Sequence, residues 1–264
     1  MFMQFPKIDP VFLHLGPLEF RWYGMMYVLS FIAAYFLILA GSKRKNMPLT
    51  KDDLADLIFY LALGVIAGGR IGYILFYNIS YYIDHPLKVF SVWEGGMSFH
   101  GGILGTIITG YYFALKKKIA FFQLADLCAT VAPIGLGLGR LGNFINGELY
   151  GRATSVSWGM LFPGGGEMPR HPSQLYEAIL EGPVIFTILW LLQKKKNLPV
   201  GVVFWTFISL YGAFRFIVEF SREPDAQIGY LLGIFSMGQL LSFPMLLLGA
   251  GMICICLKRD PSPP

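Results

Sequence analysis

Long apolar stretches separated by short polar ones dominate the chain. Apolar residues run almost unbroken over 23–41, 54–78, 97–115, 120–145, 173–192, 200–220 and 235–257. A hydrocarbon core roughly 30 Å thick is crossed by about 20 helical residues, so the pattern predicts seven membrane-spanning helices. The polar stretches between them alternate in character. Those at 42–53, 116–119 and 193–199 are short and mostly basic, whereas those at 79–96, 146–172 and 221–234 are longer. Lys43, Arg44, Lys45 and Lys51 follow the first apolar run, and Lys116, Lys117 and Lys118 the third. Lys194, Lys195 and Lys196 follow the fifth, and Lys258 and Arg259 the seventh. Odd-numbered ends of a serially threaded chain lie on one side, so all four basic groups share a face. Lys and Arg accumulate on the cytoplasmic side of membrane proteins. That places the N-terminus outside and the C-terminus in the cytoplasm. Residues 1–19 contain Pro6, Asp9, Pro10, Pro17 and Glu19. They lack the apolar core of a cleaved signal and are expected to persist as an outer, interfacial segment.

The expected fold class is therefore an all-α integral membrane protein. It forms a single transmembrane domain over 1–264 with a small outer cap from 146–172, a stretch marked by Trp158, Pro163, Gly164, Gly165 and Gly166. Composition removes the alternatives. Hydrophobic residues make up 55% and charged residues 14%, against about 25% charged in a soluble domain, and mean hydropathy is +0.57. A soluble enzyme, a disordered chain and a small disulfide scaffold are excluded. The net charge of +5 resides largely in the four basic groups at the ends of apolar runs. None is interleaved with the aromatic residues of a nucleic-acid platform, so membrane lipids, and no nucleic acid, are the expected surroundings. Cys128, Cys254 and Cys256 lie within apolar runs and read as small buried hydrophobes.

The few charges inside the apolar runs change the picture. Each costs about 2.5–3.5 kcal/mol on insertion scales and marks a functional site by default. Arg70 lies in the second run, Arg140 in the fourth, Glu177 and Glu181 in the fifth, Arg215 and Glu219 in the sixth. The three arginines fall in the three outward-running spans, each towards the outer end. Arg140 shares a helix face with Asn143, and Tyr211, Arg215 and Glu219 form an i, i+4, i+8 stripe that Arg222 continues. Tyr73 and Tyr77 share the face of Arg70. An ion pair such as Arg215 with Glu219 accounts for one such arginine. Three at similar depth point to a polar cavity open to the outer leaflet, lined by guanidinium groups suited to phosphate.

His100, in WEGGMSFHGG, begins the third run at the level of these arginines and is either a general base or a hydrogen-bonded structural residue. His171 precedes Pro172 and Ser173 at a helix start and suits a capping or loop role. His14 and His85 are surface residues. Gly137, Gly139 and Gly142 spell GxGxxG, but inside an apolar run close helix packing, with Gly135 and Gly139 as a small-xxx-small pair, outweighs dinucleotide binding. Ser98 lacks the GxSxG setting of a hydrolase nucleophile. No HExxH or Cys/His spacing of a metal site is present, so neither metal nor other cofactor is expected.

The stretch GRLGNFINGELYG, residues 139–151, resembles the signature of bacterial prolipoprotein diacylglyceryl transferases, G-R-x-[GA]-N-F-x-N-x-E-x-x-G, at every fixed position. RWYG from Arg21, GGRIGY from Gly68, GGMSFHGG from Gly95, HPSQLYE from His171 and YGAFRFIVEF from Tyr211 are similar to the same family, in order along nearly the whole chain. Residues 152–170 are less diagnostic. The resemblance implies a seven-span transferase of the bacterial inner membrane with its active site towards the periplasm. Its partners would be phosphatidylglycerol and a preprolipoprotein signal peptide with a lipobox cysteine. The diacylglyceryl group would pass to that thiol, giving a thioether and glycerol phosphate as the first step of lipoprotein maturation.

Displacing phosphate at carbon requires a thiolate and a stabilised leaving group. A thiol of pKa about 8.5 is only a few per cent ionised at neutral pH, and a neutral imidazole can take its proton. His100 is the candidate base, and Arg140 and Arg215 the phosphate clamp. Tyr23, Asn143 and Gly151 matter by resemblance. Asn146, Glu148 and Glu219 would orient guanidinium groups and substrate hydroxyls, and Arg70 and Tyr211 complete the substrate-binding set. The nucleophile is the substrate's, so the chain's own cysteines are not required. Two other functions fit the same residues. A lipid or organic-anion transporter would be built from internal repeats, and none is evident; an intramembrane hydrolase would use Ser98 with His100.

Overall fold

The structure is a computed structural model describing residues 2–223, 230–231 and 235–258. Among the described residues every one of the seven apolar runs is helical over most of its length. The elements in chain order are β1 (Met3–Gln4), β2 (Val11–Leu15), β3 (Leu18–Arg21), α1 (Trp22–Arg44), α2 (Lys51–Tyr77), α3 (Ile79–Asp84), α4 (Phe99–Lys117) and α5 (Phe121–Ile145). There follow β4 (Met160–Leu161), α6 (Ser173–Ile179), α7 (Ile185–Gln193), α8 (Val202–Val218), β5 (Tyr230–Leu231), β6 (Phe235–Ser236) and α9 (Met237–Lys258). Five helices are long and apolar enough to cross a membrane: α1, α2, α5, the continuous run Ser173–Gln193 and α9; α8 is a shorter apolar helix. The chain is thus a mostly helical membrane protein. Arg259 of the last basic pair lies outside the described residues.

The strands depart from a purely helical fold. β2 and β3 form a hairpin turning at Gly16, whose φ is +60°, while β1 pairs in parallel with β4, and β5 pairs with β6. The pairing of β1 with β4 draws the N-terminal segment onto the 146–172 stretch. There Phe144, Met160 and Phe162 bury a small core with Phe5, Tyr150 and Leu175 packed against it. A segment that can satisfy backbone groups only through such short ladders needs the buried aromatics to hold them.

The chain divides into two compact units, residues 35–125 and residues 1–34 with 126–264. In the 35–125 unit α2 and α4 pack backbone to backbone. A Cβ on Gly68 would stand 2.8 Å from Gly105 Cα, and one on Gly72 2.8 Å from Gly101 Cα. Glycine spaced by four residues on both helices permits this approach, the arrangement by which apolar helices associate in lipid. Thr50 and Asp53 close a reciprocal capping box at the start of α2. Ser98 caps α4 by accepting from the Gly101 amide at 3.2 Å, and its own amide donates to Gly69 O at 2.8 Å.

In the other unit the helix Ser173–Gln193 is broken between α6 and α7. Gly182 has φ −90° and ψ −107°, and Pro183, which lacks an amide hydrogen, follows it in a widened turn over 180–184. The break is seated on α5: a Cβ on Gly137 would meet Gly182 Cα at 3.0 Å. On the same helix Gly142 packs under the Tyr23 ring, which an added Cβ would meet at 2.8 Å. Helix packing thus occupies two positions of the GxGxxG string. The α7–α8 core is formed by Ile185, Leu189 and Val203. Asp126 of α5, 1% exposed, caps α8: its Oδ2 accepts from the Gly201 amide and its Oδ1 from the Phe204 amide, both at 2.8 Å.

Candidate active site

Glu177 gathers the intramembrane charges. Helix α6 buries its side chain completely, and guanidinium groups from three places close on it. Arg140 Nε of α5 lies 2.6 Å from Oε2, Arg215 Nη1 of α8 3.1 Å from the same oxygen, and Arg222 Nη1 2.7 Å from Oε1. Glu219, one turn beyond Arg215, takes the opposite side of the group, with Oε2 2.8 Å from Arg215 Nη2 and 3.5 Å from Arg222 Nε. Its other oxygen accepts from Ser236 Oγ at 2.9 Å. The carboxylate fits against the first turn of α9 because residue 238 is glycine, where a Cβ would stand 2.6 Å from both of its oxygens. The amide-rich start of α9 favours a negative charge there.

The arginines are not equally neutralised. Arg215 and Arg222 each bridge Glu177 and Glu219. Arg140 approaches both carboxylates most closely through Nε, at 2.6 Å from Glu177 and 3.7 Å from Glu181. No hydrogen bond among the described residues uses its Nη1 or Nη2. Its side chain is 20% exposed, the most of the three. An arginine anchored by Nε offers both terminal amino groups to an external anion in the fork geometry that phosphate accepts. Gly137, Leu138 and Leu141 of α5 also face Ala178, Ile179 and Gly182 across an apolar groove of about 460 Å³, which none of the charged residues lines.

The stretch 139–151 turns the end of α5 onto the start of α6. After Ile145 the chain reverses through Gly147 and Leu149, with φ of +67° and +57°. The Glu148 carboxylate accepts from Asn143 Nδ2 and Asn146 Nδ2, both at 3.0 Å. Gln174 Nε2 donates to Glu148 O at 2.6 Å and Ser173 Oγ to Leu149 O at 3.2 Å. Gly151 donates to His171 O at 2.8 Å. A Cβ at Gly151 would press on the Ser221 carbonyl and lie 2.9 Å from His171 Cβ, so only glycine lets this strand lie against the chain at Arg222. Arg152 then donates through Nη2 to Glu219 O at 3.2 Å. Asn143, Asn146, Glu148 and Gly151 therefore set the backbone that carries Arg140, Glu177 and Arg222. Tyr23 sits over Gly142 with its hydroxyl 3.3 Å from that of Tyr27, and Tyr211 packs against the α7–α8 core. His171 Nδ1 lies 3.1 Å from the Tyr176 hydroxyl. Burial first, and then Arg152, hold its imidazole below the usual value.

Arg70 differs from what its position in the sequence implied. Within the 35–125 unit the residue is 4% exposed, and each of the five guanidinium hydrogens goes to a backbone carbonyl. Nε donates to Val89 O at 2.9 Å, Nη1 to Gly95 O and to Gly96 O at 3.2 Å, and Nη2 to Lys88 O and to Ser91 O at 3.0 Å. The Tyr82 ring covers it at 5.1 Å. No donor is left for a phosphate. The 79–96 connection wraps this cation because Gly95 and Gly96, with φ of +85° and +74°, turn successive carbonyls inward. His100 lies in the first turn of α4; its side chain lies outside the described residues. Glu177, Glu181 and Arg222 are the members of the cluster that sequence spacing did not assign to the site. The signal for the two acids was their i, i+4 spacing on one face of an apolar run, and that for Arg222 its continuation of the stripe through Arg215 and Glu219.

Residues 10–255 match the family described as prolipoprotein diacylglyceryl transferase. A protein of Geobacter sulfurreducens named phosphatidylglycerol–prolipoprotein diacylglyceryl transferase is 67% identical over 261 residues, covering 99% of this chain and 100% of its own. Proteins of the same name from Pseudoalteromonas atlantica and Pseudomonas aeruginosa are 51% and 49% identical, each over 263 residues. Those alignments cover 98% and 99% of this chain, and 93% and 98% of the respective relatives.

Proposed function

The chain belongs to the prolipoprotein diacylglyceryl transferase family, and from that premise we propose that Arg140 receives the phosphodiester of phosphatidylglycerol. The enzyme transfers the diacylglyceryl group of this lipid to the lipobox cysteine of a prolipoprotein. The thiol loses its proton, and sulfur attacks the glyceryl carbon that bears the phosphate. The carbon–oxygen bond breaks, and its electron pair leaves on the phosphate oxygen of glycerol phosphate. No acyl intermediate forms, so the site's task is to hold the phosphate and to stabilise charge as it departs.

The observation that carries this assignment is Arg140's closest approach through Nε, with neither terminal amino group taken by a hydrogen bond among the described residues. Arg215 lies on the same carboxylate 3.1 Å away and stabilises the developing charge. Glu177 and Glu219 hold the arginines apart and at fixed angles. Asn143, Asn146, Glu148 and Gly151 act by shaping the backbone, and Tyr23 and Tyr211 by walling the site. His100 takes the thiol proton. Arg70, in place of the substrate contact suggested by spacing, fixes the 88–96 connection ahead of α4. The apolar groove between α5 and the Ser173–Gln193 run accommodates acyl chain. All seven helical runs cross the bacterial inner membrane with the N-terminus outside, residues 1–264 form a single catalytic domain, and the site faces the periplasm.

Membranes carrying the protein, given phosphatidylglycerol and a lipobox peptide, should release glycerol phosphate and lipidate the peptide. Arg140→Ala should abolish both. Undiminished release from that variant removes the phosphate assignment, and undiminished release from His100→Gln removes the base. The hydrolase alternative requires Ser98, whose hydroxyl caps α4 at the Gly101 amide; Ser98→Ala should leave lipidation largely intact. A transporter would move lipid without any thioether product.

A further inference from the structure

Among the acids of the described cluster, Glu181 stands apart. Its side chain is 0% exposed, yet no hydrogen-bond donor among the described residues serves either carboxylate oxygen. The nearest guanidinium nitrogen is Arg140 Nε, 3.7 Å from Oε2. Glu177 Oε2 lies closer to that nitrogen, at 2.6 Å, in an ion pair without a hydrogen bond; Glu177 and Glu219 each have one oxygen served by a donor, and Glu181 has neither. Arg215 and Arg222 serve Glu177 and Glu219 instead. A buried acceptor without a donor is costly and calls for an explanation.

The fold does nothing to relieve Glu181. It lies one helical turn from Glu177, on the same face, and within the widened turn over 180–184 that Gly182 and Pro183 impose. Gly137 of α5, where an added Cβ would meet Gly182 Cα at 3.0 Å, fixes that turn in place. Widened turns of this kind recur at functional sites because they aim a side chain that a regular helix would direct elsewhere. A ligand hydroxyl brought to this turn would supply the donor that the chain does not.

We propose that Glu181 accepts a hydrogen bond from a hydroxyl of the glycerol headgroup of phosphatidylglycerol, making it a specificity residue of the lipid site. The inference rests on the function proposed above. A phosphate on Arg140 brings the headgroup alongside, because its hydroxyls sit on the carbons that follow the phosphoester carbon. Arg140 Nε is 3.7 Å from the waiting carboxylate. A site built to bond a substrate hydroxyl rejects the analogue lacking it, since the analogue leaves the buried acceptor unpaired.

The test compares phosphatidylglycerol with phosphatidylpropanol of the same acyl chains, reading lipidation of a lipobox peptide as kcat/KM. The wild-type enzyme should prefer phosphatidylglycerol by about 10- to 100-fold, as expected for a hydrogen bond to a charged group. In Glu181→Leu the preference should fall to within about threefold. Glu181→Gln keeps the shape and a neutral acceptor, so an intermediate preference, reduced about fivefold, is expected; this variant decides the matter if the Leu chain does not fold. Equal losses on both lipids, or a wild-type enzyme without preference, overturn the proposal. Failure of the wild-type enzyme to lipidate the peptide with phosphatidylglycerol would instead overturn the function on which the proposal rests.

Discussion

Replacing Glu177 by glutamine tests whether the arginines are held by the carboxylate or merely lie near it. The substitution preserves volume and removes one negative charge from a position that three guanidinium groups approach at 2.6, 3.1 and 2.7 Å. Each unit pair at roughly 4 Å between charge centres is worth about 4 kcal/mol at an effective dielectric near 20. Most of that gross attraction offsets the desolvation of the ions. What the variant forfeits is the balance, because its cations stay buried without their partner. Breaking a buried pair from one side costs about 3–5 kcal/mol. Glu177 is fully buried, so solvent does not dilute this figure. At roughly 2–4 °C per kcal/mol for a chain of this size, Glu177→Gln should melt about 10 °C lower in detergent micelles. With Arg140 and Arg215 no longer fixed, kcat/KM should fall about 100- to 1,000-fold. Adding Arg222→Gln removes the surplus positive charge, so the double variant should recover about 1–3 kcal/mol relative to additivity. A Glu177→Gln protein with wild-type melting, combined with additive behaviour of the double variant, would refute the reasoning.

Asp126→Ala leaves the Gly201 and Phe204 amides without their acceptor; thermal unfolding should show a loss of about 2–4 kcal/mol, with lower activity because α8 carries Arg215. Arg70→Lys replaces five donors by three and should destabilise by about 3 kcal/mol and expose residues 88–96 to protease, with KM for the lipid unchanged; a raised KM with an intact fold would instead return Arg70 to the substrate. Gly151→Ala forces a Cβ to within 2.9 Å of His171 Cβ, costs about 1–3 kcal/mol as overpacking, and should lower activity by moving Arg222, as melting and turnover together will report. His171 titrates below its usual value when folded, so protonation opposes folding. Its share of stability is complete above about pH 6.5 and is lost as pH falls through that value, a dependence that should be weaker in His171→Gln when melting is followed against pH.

The helices were legible because an apolar run of this length has few other outcomes. Runs at 54–78, 120–145 and 235–257 differ by only a few residues from α2, α5 and α9. What sequence could not show was which partner each helix meets. Gly64, Gly68 and Gly72 announce a close approach, but only the fold supplies Gly101 and Gly105 opposite them. The parallel ladder of β1 on β4 spans two residues on each side, too short to register as a pattern. Arg70 shows the limit most clearly. Its depth in an apolar run matched that of Arg140, and the difference lies wholly in the connection that follows. Gly95 and Gly96 turn their carbonyls onto it, and a cation enclosed by carbonyls is indistinguishable in sequence from one that awaits a phosphate.

The site itself became legible only when acids and bases were treated as one set. The cost of placing a charge in an apolar run is the same for Glu177 and Glu181 as for the arginines, so the acids need the same individual explanation. Their i, i+4 spacing puts both on one face, and that face meets Arg140. Neutralisation of a guanidinium by a carboxylate would by itself remove its value for an anionic lipid. The proposed role of Arg140 avoids this: its closest approach to Glu177 is through Nε, at 2.6 Å, and no hydrogen bond among the described residues takes the terminal amino groups that would form the phosphate fork. Arg215 and Arg222, which each bridge Glu177 and Glu219, serve as the frame. The distinction between a frame of arginines and one that binds depends on which nitrogen faces which oxygen, and residue spacing carries no information at that level.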